Sequence, residues 1–454
     1  MSKNICNVCN KEFEDKYFDK KQNKCILHCE KDGWYEIDDS GNKNWYKSKG
    51  NINLFWEKFY EEYDSRQILF GIKNVVFPKF ESQGGLAEGS SRKIVFEEID
   101  NSLTFENCTF EGKISLYKYI NKLEFKECKF LANLELSRND IQKGLTFINC
   151  TFNKNLILKN LTFKIGSKLR IKDCSIIKNV NFENTTFEDL ADFNKTRFNE
   201  INFYKTTFKD ISVFTETIFN KKVDFKHTTF EKLSIFRNSE FKDSINLKDA
   251  IFKEKANFLE IKTDVSNRET ARIIKDSFEQ QNNIIEANKY YALEMKEREK
   301  ELDFKKDFFE WLVFKIHGLS SNHSQDWTLA LFWIINLTFF YSYLNIQPND
   351  KILVFKIIFS FIAIILITCM IIKIPKNLER RWLTTIPTTI ICYVLYGYLV
   401  ETDWSLAEFS KNLNPFSIMR GDEPITLGTL IFKIIIAYLI YQLIISIRQN
   451  TRRK

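Results

Sequence analysis

Histidine is scarce in this chain. Its 454 residues hold only four, His28, His227, His317 and His323, each in a different segment. No zinc-protease, nucleophile-elbow or dinucleotide-binding motif joins them. Carboxylates are abundant, but through the middle of the chain they alternate with Lys on what should be a solvated surface, and no pair stands out as acid and base. A non-enzymatic role is therefore expected. Charge of one sign is also limited: 67 Lys and Arg against 59 Asp and Glu leave +8. The aromatic residues follow a core rhythm and not a basic stripe, which argues against nucleic acid as a partner. Residues 1–20 lack an apolar core, so no cleavable signal peptide is expected. Residues 84–91 resemble a phosphate-binding Gly-x4-Gly loop, but Ser90 stands where that loop needs Lys, and strand-like Ile94, Val95 and Phe96 follow. The segment reads as a flexible surface loop. Thr426, Leu427, Gly428 and Thr429 are too degenerate for a potassium filter.

Phenylalanine is what the chain has in abundance, 43 residues of it. Over residues 105–258 large apolar residues recur at intervals of five and six, most clearly from Phe182, Phe187, Phe193 and Phe198 through to Leu247, Phe252 and Phe258. A helix face needs spacings of three and four and a half-buried strand needs two, so neither fits. A coil that turns a corner every five residues does, and an internal repeat of this kind sets the fold class ahead of local propensity. The position two before each large residue is small: Cys108, Cys128, Cys150 and Cys174, then Thr185, Thr196, Thr206, Thr217 and Thr228, then Ser239 and Ala250. With about 20 to 22 residues per coil and coils stacked about 4.8 Å apart, the four cysteines fall in one column that continues as Thr196, Thr217 and Ser239. That continuity favours thiols acting as small buried apolar groups over a metal or disulfide column.

These units, reading Thr-Thr-Phe, Cys-Thr-Phe or Thr-Arg-Phe alternately with Val-Asn-Phe, Ala-Asp-Phe or Ile-Asn-Phe, resemble the pentapeptide-repeat family. The resemblance implies a right-handed, four-sided β-helix with the central Phe residues stacked inside. Some members of that family imitate DNA with an acidic column, a reading that needs a strongly negative face; here both signs are interspersed. The string from Asn267, Arg268, Glu269 and Thr270 to Glu294, Met295 and Lys296 is similar to the segment that follows the repeat in bacterial membrane proteins of this type.

Before the repeat, residues 1–50 form a Cys-rich, zinc-ribbon-like segment. Cys6 and Cys9 make a Cys-x2-Cys pair, followed by Cys25, His28 and Cys29. Two ligand pairs on separate turns are what a tetrahedral structural Zn2+ site needs, with His28 or Cys29 as fourth ligand. A full protein ligand set leaves no open position for catalysis. Residues 51–69 carry Leu54, Phe55, Phe59, Tyr63 and Ile68 at helical spacing and predict a helix covering the open first coil. The repeat is expected over residues 70–260, with Phe70, Val75 and Phe80 already in steps of five.

Beyond residue 260 the period becomes helical. Residues 266–320 predict one or two amphipathic helices that cap the last coil, with a break at Asn282 and Asn283, then a helix around Phe308, Phe309, Trp311, Leu312, Phe314 and Ile316 lying in a membrane interface. Residues 326–454 predict an all-α, four-helix transmembrane domain, with apolar runs at about 328–346, 352–374, 383–400 and 425–447. Lys373, Lys376, Arg380 and Arg381 between the second and third runs, and Arg448, Arg452, Arg453 and Lys454 in the tail, place both termini in the cytoplasm of a bacterial inner membrane. Reduced cysteines follow from that placement. Pro387 should kink the third run. Asn336 in the first run, and Thr426, Thr429, Lys433 and Gln442 at or within the fourth, are the polar candidates. The sequence supports two roles. One is a membrane-anchored interaction or sensing scaffold whose β-helix meets a cytoplasmic protein partner or ligand. The alternative is a homo-oligomeric ion channel gated by the β-helix and lined by the last helix, with Lys433 forming an anion-favouring ring.

Overall fold

The computed structural model describes residues 4–37, 43–63, 71–78, 103–116, 122–136, 140–141, 143–344, 386–387, 389–394, 396–397, 406–420 and 425–451. These fall into two compact units, Met1–Ser277 and Phe278–Lys454. The expected loop at residues 84–91 and second apolar run at 352–374 lie outside the described residues, as does the basic link Lys373 to Arg381.

The first unit is dominated by a β-solenoid. One coil shows the pattern: Leu145–Ile148, Thr151–Phe152, Leu156–Ile157 and Thr162–Phe163 occupy four successive faces, and Leu169–Lys172 returns to the first. Each strand pairs in parallel with its equivalent one coil away, as Phe105 with Phe125 and Phe125 with Phe147. The first face is a nine-stranded sheet and the fourth a six-stranded one. The second and third faces merge into a thirteen-stranded sheet because strands such as Ser175–Asn181 and Glu240–Asn246 continue round the corner between them.

Inside, the large residues stack in four columns. On the first face Phe193, Phe214 and Phe236 lie with ring centroids 5.0 and 4.7 Å apart. Phe110, Phe130 and Phe152 do the same on the second face at 5.0 and 4.5 Å, Phe203 and Phe225 on the third at 4.8 Å, and Phe208 and Phe230 on the fourth at 5.0 Å. Rings in adjacent columns meet edge to face, the arrangement that the aromatic quadrupole favours. The solenoid fold and the column residues expected over 105–258 are thus observed.

The corners account for the spacing. After the first and third faces an Asn or Asp side chain bonds the amide two residues on, as Asn181 Oδ1 accepts from Glu183 N at 2.9 Å. The next residue takes a left-handed conformation, Asn184 at φ +54°. The small residue then reaches back one coil, Thr185 Oγ1 donating to Leu158 O at 2.6 Å. Asn202, Lys205 and Thr206 repeat this, with Thr206 Oγ1 donating to Phe182 O at 2.9 Å. The cysteines replace these hydroxyls: the thiols of Cys108, Cys128 and Cys150 donate to Ile72, Phe105 and Phe125 carbonyls at 3.3–3.4 Å. These corners keep a step of five. The six-residue steps fall at the other two corners, as from Phe187 to Phe193 and from Phe219 to Phe225, and where one coil takes five there instead, from Phe198 to Phe203, the pairing register shifts against Ser175–Asn181.

Both ends of the solenoid are covered. Helix α1 (Lys49–Glu62) buries Phe55 and Phe59, which meet Phe77 edge-on at 5.9 and 5.5 Å. In the first coil the inward residues are Ile72 and Phe77, paired with Phe105 and Phe110. Of the expected Phe70, Val75 and Phe80, the first and last lie outside the described residues, and Val75 is corrected: fully buried, it holds the small-residue place equivalent to Cys108. At the far end, helix α2 (Arg268–Gln280) offers side chains to the open edge. Thr270 Oγ1 accepts from Leu247 N at 2.8 Å, and Ser277 Oγ donates to Ala256 O at 2.5 Å.

The second unit holds α3 (Ile284–Glu301), α4 (Phe308–Ser321), α5 (Trp327–Leu344), α6 (Ala407–Leu413) and α7 (Leu427–Thr451), with further helical residues at 386–387, 389–394 and 396–397 that include Pro387. The expected break before α3 is present: Asn282 is left-handed, and Asn283 Oδ1 caps the helix by accepting from Glu286 N at 3.3 Å. Among the described residues one helix, Leu427–Thr451, is long and apolar enough to cross a membrane, and Trp327–Ser342 is a shorter apolar stretch.

Candidate metal centre

Two short hairpins build the N-terminal site. Asn4–Ile5 pairs with Glu12–Phe13, and Phe18–Asp19 with Lys24–Cys25. The first hairpin turns through Cys6 to Asn10, where Asn10 N donates to Cys6 O at 2.8 Å and Asn10 is left-handed. After the second, His28 N and Cys29 N both donate to Cys25 O at 3.0 Å, folding the chain into a tight knuckle. Asn7 N joins the two hairpins by donating to Asn23 O at 3.1 Å.

The two turns bring together Cys6, Cys9, Cys25 and His28, whose ligand atoms all lie within 4.8 Å of one another. His28 Nδ1 stands 3.1 Å from Cys25 Sγ and 3.5 Å from Cys6 Sγ. Three thiols and an imidazole at this separation suit a tetrahedral ion with bonds of about 2.0–2.3 Å. Burial, followed by the charge on Lys31, pushes the His28 imidazole down to about 4, so at neutral pH it presents a neutral ring nitrogen. Burial pushes the Cys25 thiol up. At Cys6 burial acts in the same direction, but the amides of Cys25, Cys9 and Val8 outweigh it and lower the thiol.

Cys29, the other candidate for fourth place, turns away. Its sulfur lies 3.8 Å from Ile26 O and accepts from Lys31 Nζ at 3.3 Å. Lys31 is fully buried, donates also to Ile26 O and Cys29 O at 2.8 and 2.6 Å, and sits 5.3 Å from the centroid of the Phe55 ring. No sequence signal singled out Lys31.

The polar residues of the apolar helices are engaged within the second unit. Asn336 Nδ2 donates to Phe332 O at 2.7 Å and its Oδ1 accepts from Cys392 at 3.1 Å. Thr429 Oγ1 lies 2.8 Å from both Tyr341 Oη and Thr426 Oγ1. Gln442 Oε1 accepts from Ser321 and Ser324 at 2.9 and 3.2 Å. Lys433 is buried, and its ammonium donates to the carbonyls of Lys411, Asn412 and Asn414 at 2.8–2.9 Å. These carbonyls end helix α6, where the backbone dipole is negative, so a cation there is favoured. A third set, not expected from sequence, lies between α3 and α5: His323, buried, with Nε2 3.5 Å from Glu299 Oε2, and His317 with Nε2 3.0 Å from Ser324 Oγ.

No curated protein and no solved structure matches the chain. The family model described as pentapeptide repeats (9 copies) matches residues 171–213. Those residues run from the first-face strand Leu169–Lys172 through to Ser212–Val213 on the same face, so it is in the middle coils of the solenoid that the chain is similar to the pentapeptide-repeat family.

Proposed function

We propose that the protein is a membrane-anchored, non-enzymatic scaffold whose solenoid presents its outer faces to a cytoplasmic protein partner or ligand. The observation that carries this reading is the contrast between the two units. The solenoid displays charged ladders, such as Lys209 to Glu188, Lys253 to Glu231 and Lys232 to Glu254 at 2.8–3.0 Å. Helix α7 instead exposes Leu430, Ile431, Ile434, Ile435, Ile444 and Ile447, a surface that water disfavours and lipid accepts. The four apolar runs form a bundle in a bacterial inner membrane, with both termini cytoplasmic. Polar pairs such as Tyr341 with Thr429 hold its helices together. Engagement of Lys433 by the end of α6 favours the scaffold over a pore with a lysine ring. Zn2+ held by Cys6, Cys9, Cys25 and His28 is structural, since four protein ligands complete the tetrahedron.

Cell fractionation with protease protection tests this. The protein should stay in membranes after alkaline wash, and its solenoid should resist protease in intact cells yet be digested in inverted vesicles. Recovery in the soluble fraction, or digestion in intact cells, refutes it.

A further inference from the structure

We propose that metal occupancy at Cys6, Cys9, Cys25 and His28 controls whether the first coil of the solenoid is closed, so that losing the ion uncovers a strand edge able to pair with a second copy of this chain. The inference rests on the metal reading given above and adds a consequence to it.

Within the solenoid each coil donates amides to carbonyls of a neighbouring coil, as Thr109 N does to Val75 O at 3.0 Å. At the first coil, Val76 N donates instead to Leu27 O at 2.8 Å. Leu27 sits between the ligands Cys25 and His28 and is 2% exposed, so the ligand knuckle itself supplies the acceptor that a preceding coil would have supplied. The same knuckle holds α1 in place. Lys31 bonds the knuckle carbonyls and faces the Phe55 ring, and Tyr17 Oη donates to Glu57 Oε1 at 2.9 Å. Lys43 pairs with Glu111 in the coil behind. Phe55 and Phe59 then close over Phe77, the end of the second-face column.

Beside these contacts with α1 and the first coil, the knuckle's own backbone framework is short. Its hairpin strands are two residues long, and segments of this size draw their folding free energy from the ion. Without it the Leu27 carbonyl and α1 are no longer fixed, and the edge formed by Val76 and Phe77 becomes an open template of the kind that folded proteins normally cover.

The test uses the full chain in detergent, with metal content measured by mass spectrometry, amide hydrogen exchange by peptide, and association state by sedimentation. Zinc should be present. Removing it with a chelator, or substituting Cys9→Ser or Cys25→Ser, should speed exchange in residues 71–78 by at least about tenfold and leave residues 229–235 unchanged. Larger species should appear, and zinc should reverse both effects in the chelated protein. Cys29→Ser, adjacent to a ligand but outside the cluster, should keep both zinc and protection. If the protein carries zinc and exchange in 71–78 is indifferent to its removal, this inference falls and the metal reading stands. If no zinc is bound, both fall.

Discussion

Phe214→Ala is the sharpest probe of the solenoid. Phe214 is fully buried, stacked 5.0 Å from Phe193 and 4.7 Å from Phe236, and edge-on to Phe203 and Phe225 at 5.7 and 5.8 Å. Truncation removes an aromatic ring from a close-packed column whose neighbours are fixed by strand pairing above and below, leaving little room to collapse. A buried Phe→Ala change of this kind costs about 3–5 kcal/mol. A stack in which each coil touches only its neighbours confines the loss. Hydrogen exchange in Ser212–Val213, Val223–Asp224 and Ser234–Ile235 should therefore accelerate by roughly two to three and a half orders of magnitude, up to the limit set by local opening. Exchange in Leu103–Glu106, several coils away, should not change. Lys209→Ala, which removes an exposed ion pair with Glu188, should leave those exchange rates nearly unchanged. Equal exchange rates in the two variants would refute the claim that the phenylalanine columns hold the coils together.

Other consequences are equally direct. Thr206→Val keeps the shape but leaves Phe182 O without this donor, and should cost about 1–2 kcal/mol by local exchange. Thr206→Cys should cost less, since thiols make the equivalent bond at Cys128 and Cys150; equal losses would contradict that equivalence. Lys433→Met strips a charged donor from the end of α6 and should lower the stability of the detergent-solubilised protein by about 1.5–3 kcal/mol in thermal melts, and an unchanged melt would show that Lys433 does not anchor that helix. Burial, with the neighbouring His317 charge, pushes His323 from 6.5 down to about 4, while Glu299 partly opposes the shift. Acid therefore protonates the unfolded chain first, and stability fully present above about 6.5 is lost as the pH falls toward 4. Melts followed by tryptophan fluorescence should show this slope, and His323→Leu should flatten it. The same slope in that variant would rule His323 out.

Much of the solenoid is legible in the sequence because one physical unit recurs coil after coil, so a column such as Phe193, Phe214 and Phe236 can be read from spacing alone. What spacing does not reveal is which corner takes the sixth residue. That depends on where Asx side chains such as Asn181 and Asn202 fix a left-handed residue three positions on. The first coil is misread by two residues because Val75 is apolar yet fills the small-residue place. At the metal centre, His28 and Cys29 are adjacent and equally able ligands. The choice falls to His28 because the knuckle hands Cys29 to Lys31. Lys31 is invisible beforehand, and Lys433 is legible only as a polar residue in an apolar run, for a shared reason: each is held by backbone carbonyls, and carbonyl positions follow from the folded path and not from residue identity. Of the four apolar runs, the first and fourth are helical as α5 and α7, and of these α7 alone is long and apolar enough to cross a membrane, while the second run and part of the third lie outside the described residues.

The nine parallel strands of the first face have eight gaps between them, and at about 4.8 Å each they span about 38 Å. Length along this axis is quantised, since every added turn brings its own donor, acceptor and ring for each column. Excising residues 193–213 should shorten the rod by one increment and rejoin Asp192 to Phe214 in matching phase, with neither end altered. A lineage carrying this chain could thus tune how far the metal centre and the start of helix α2 stand apart by gaining or losing whole turns, a graduated spacer whose divisions are written in aromatic side chains.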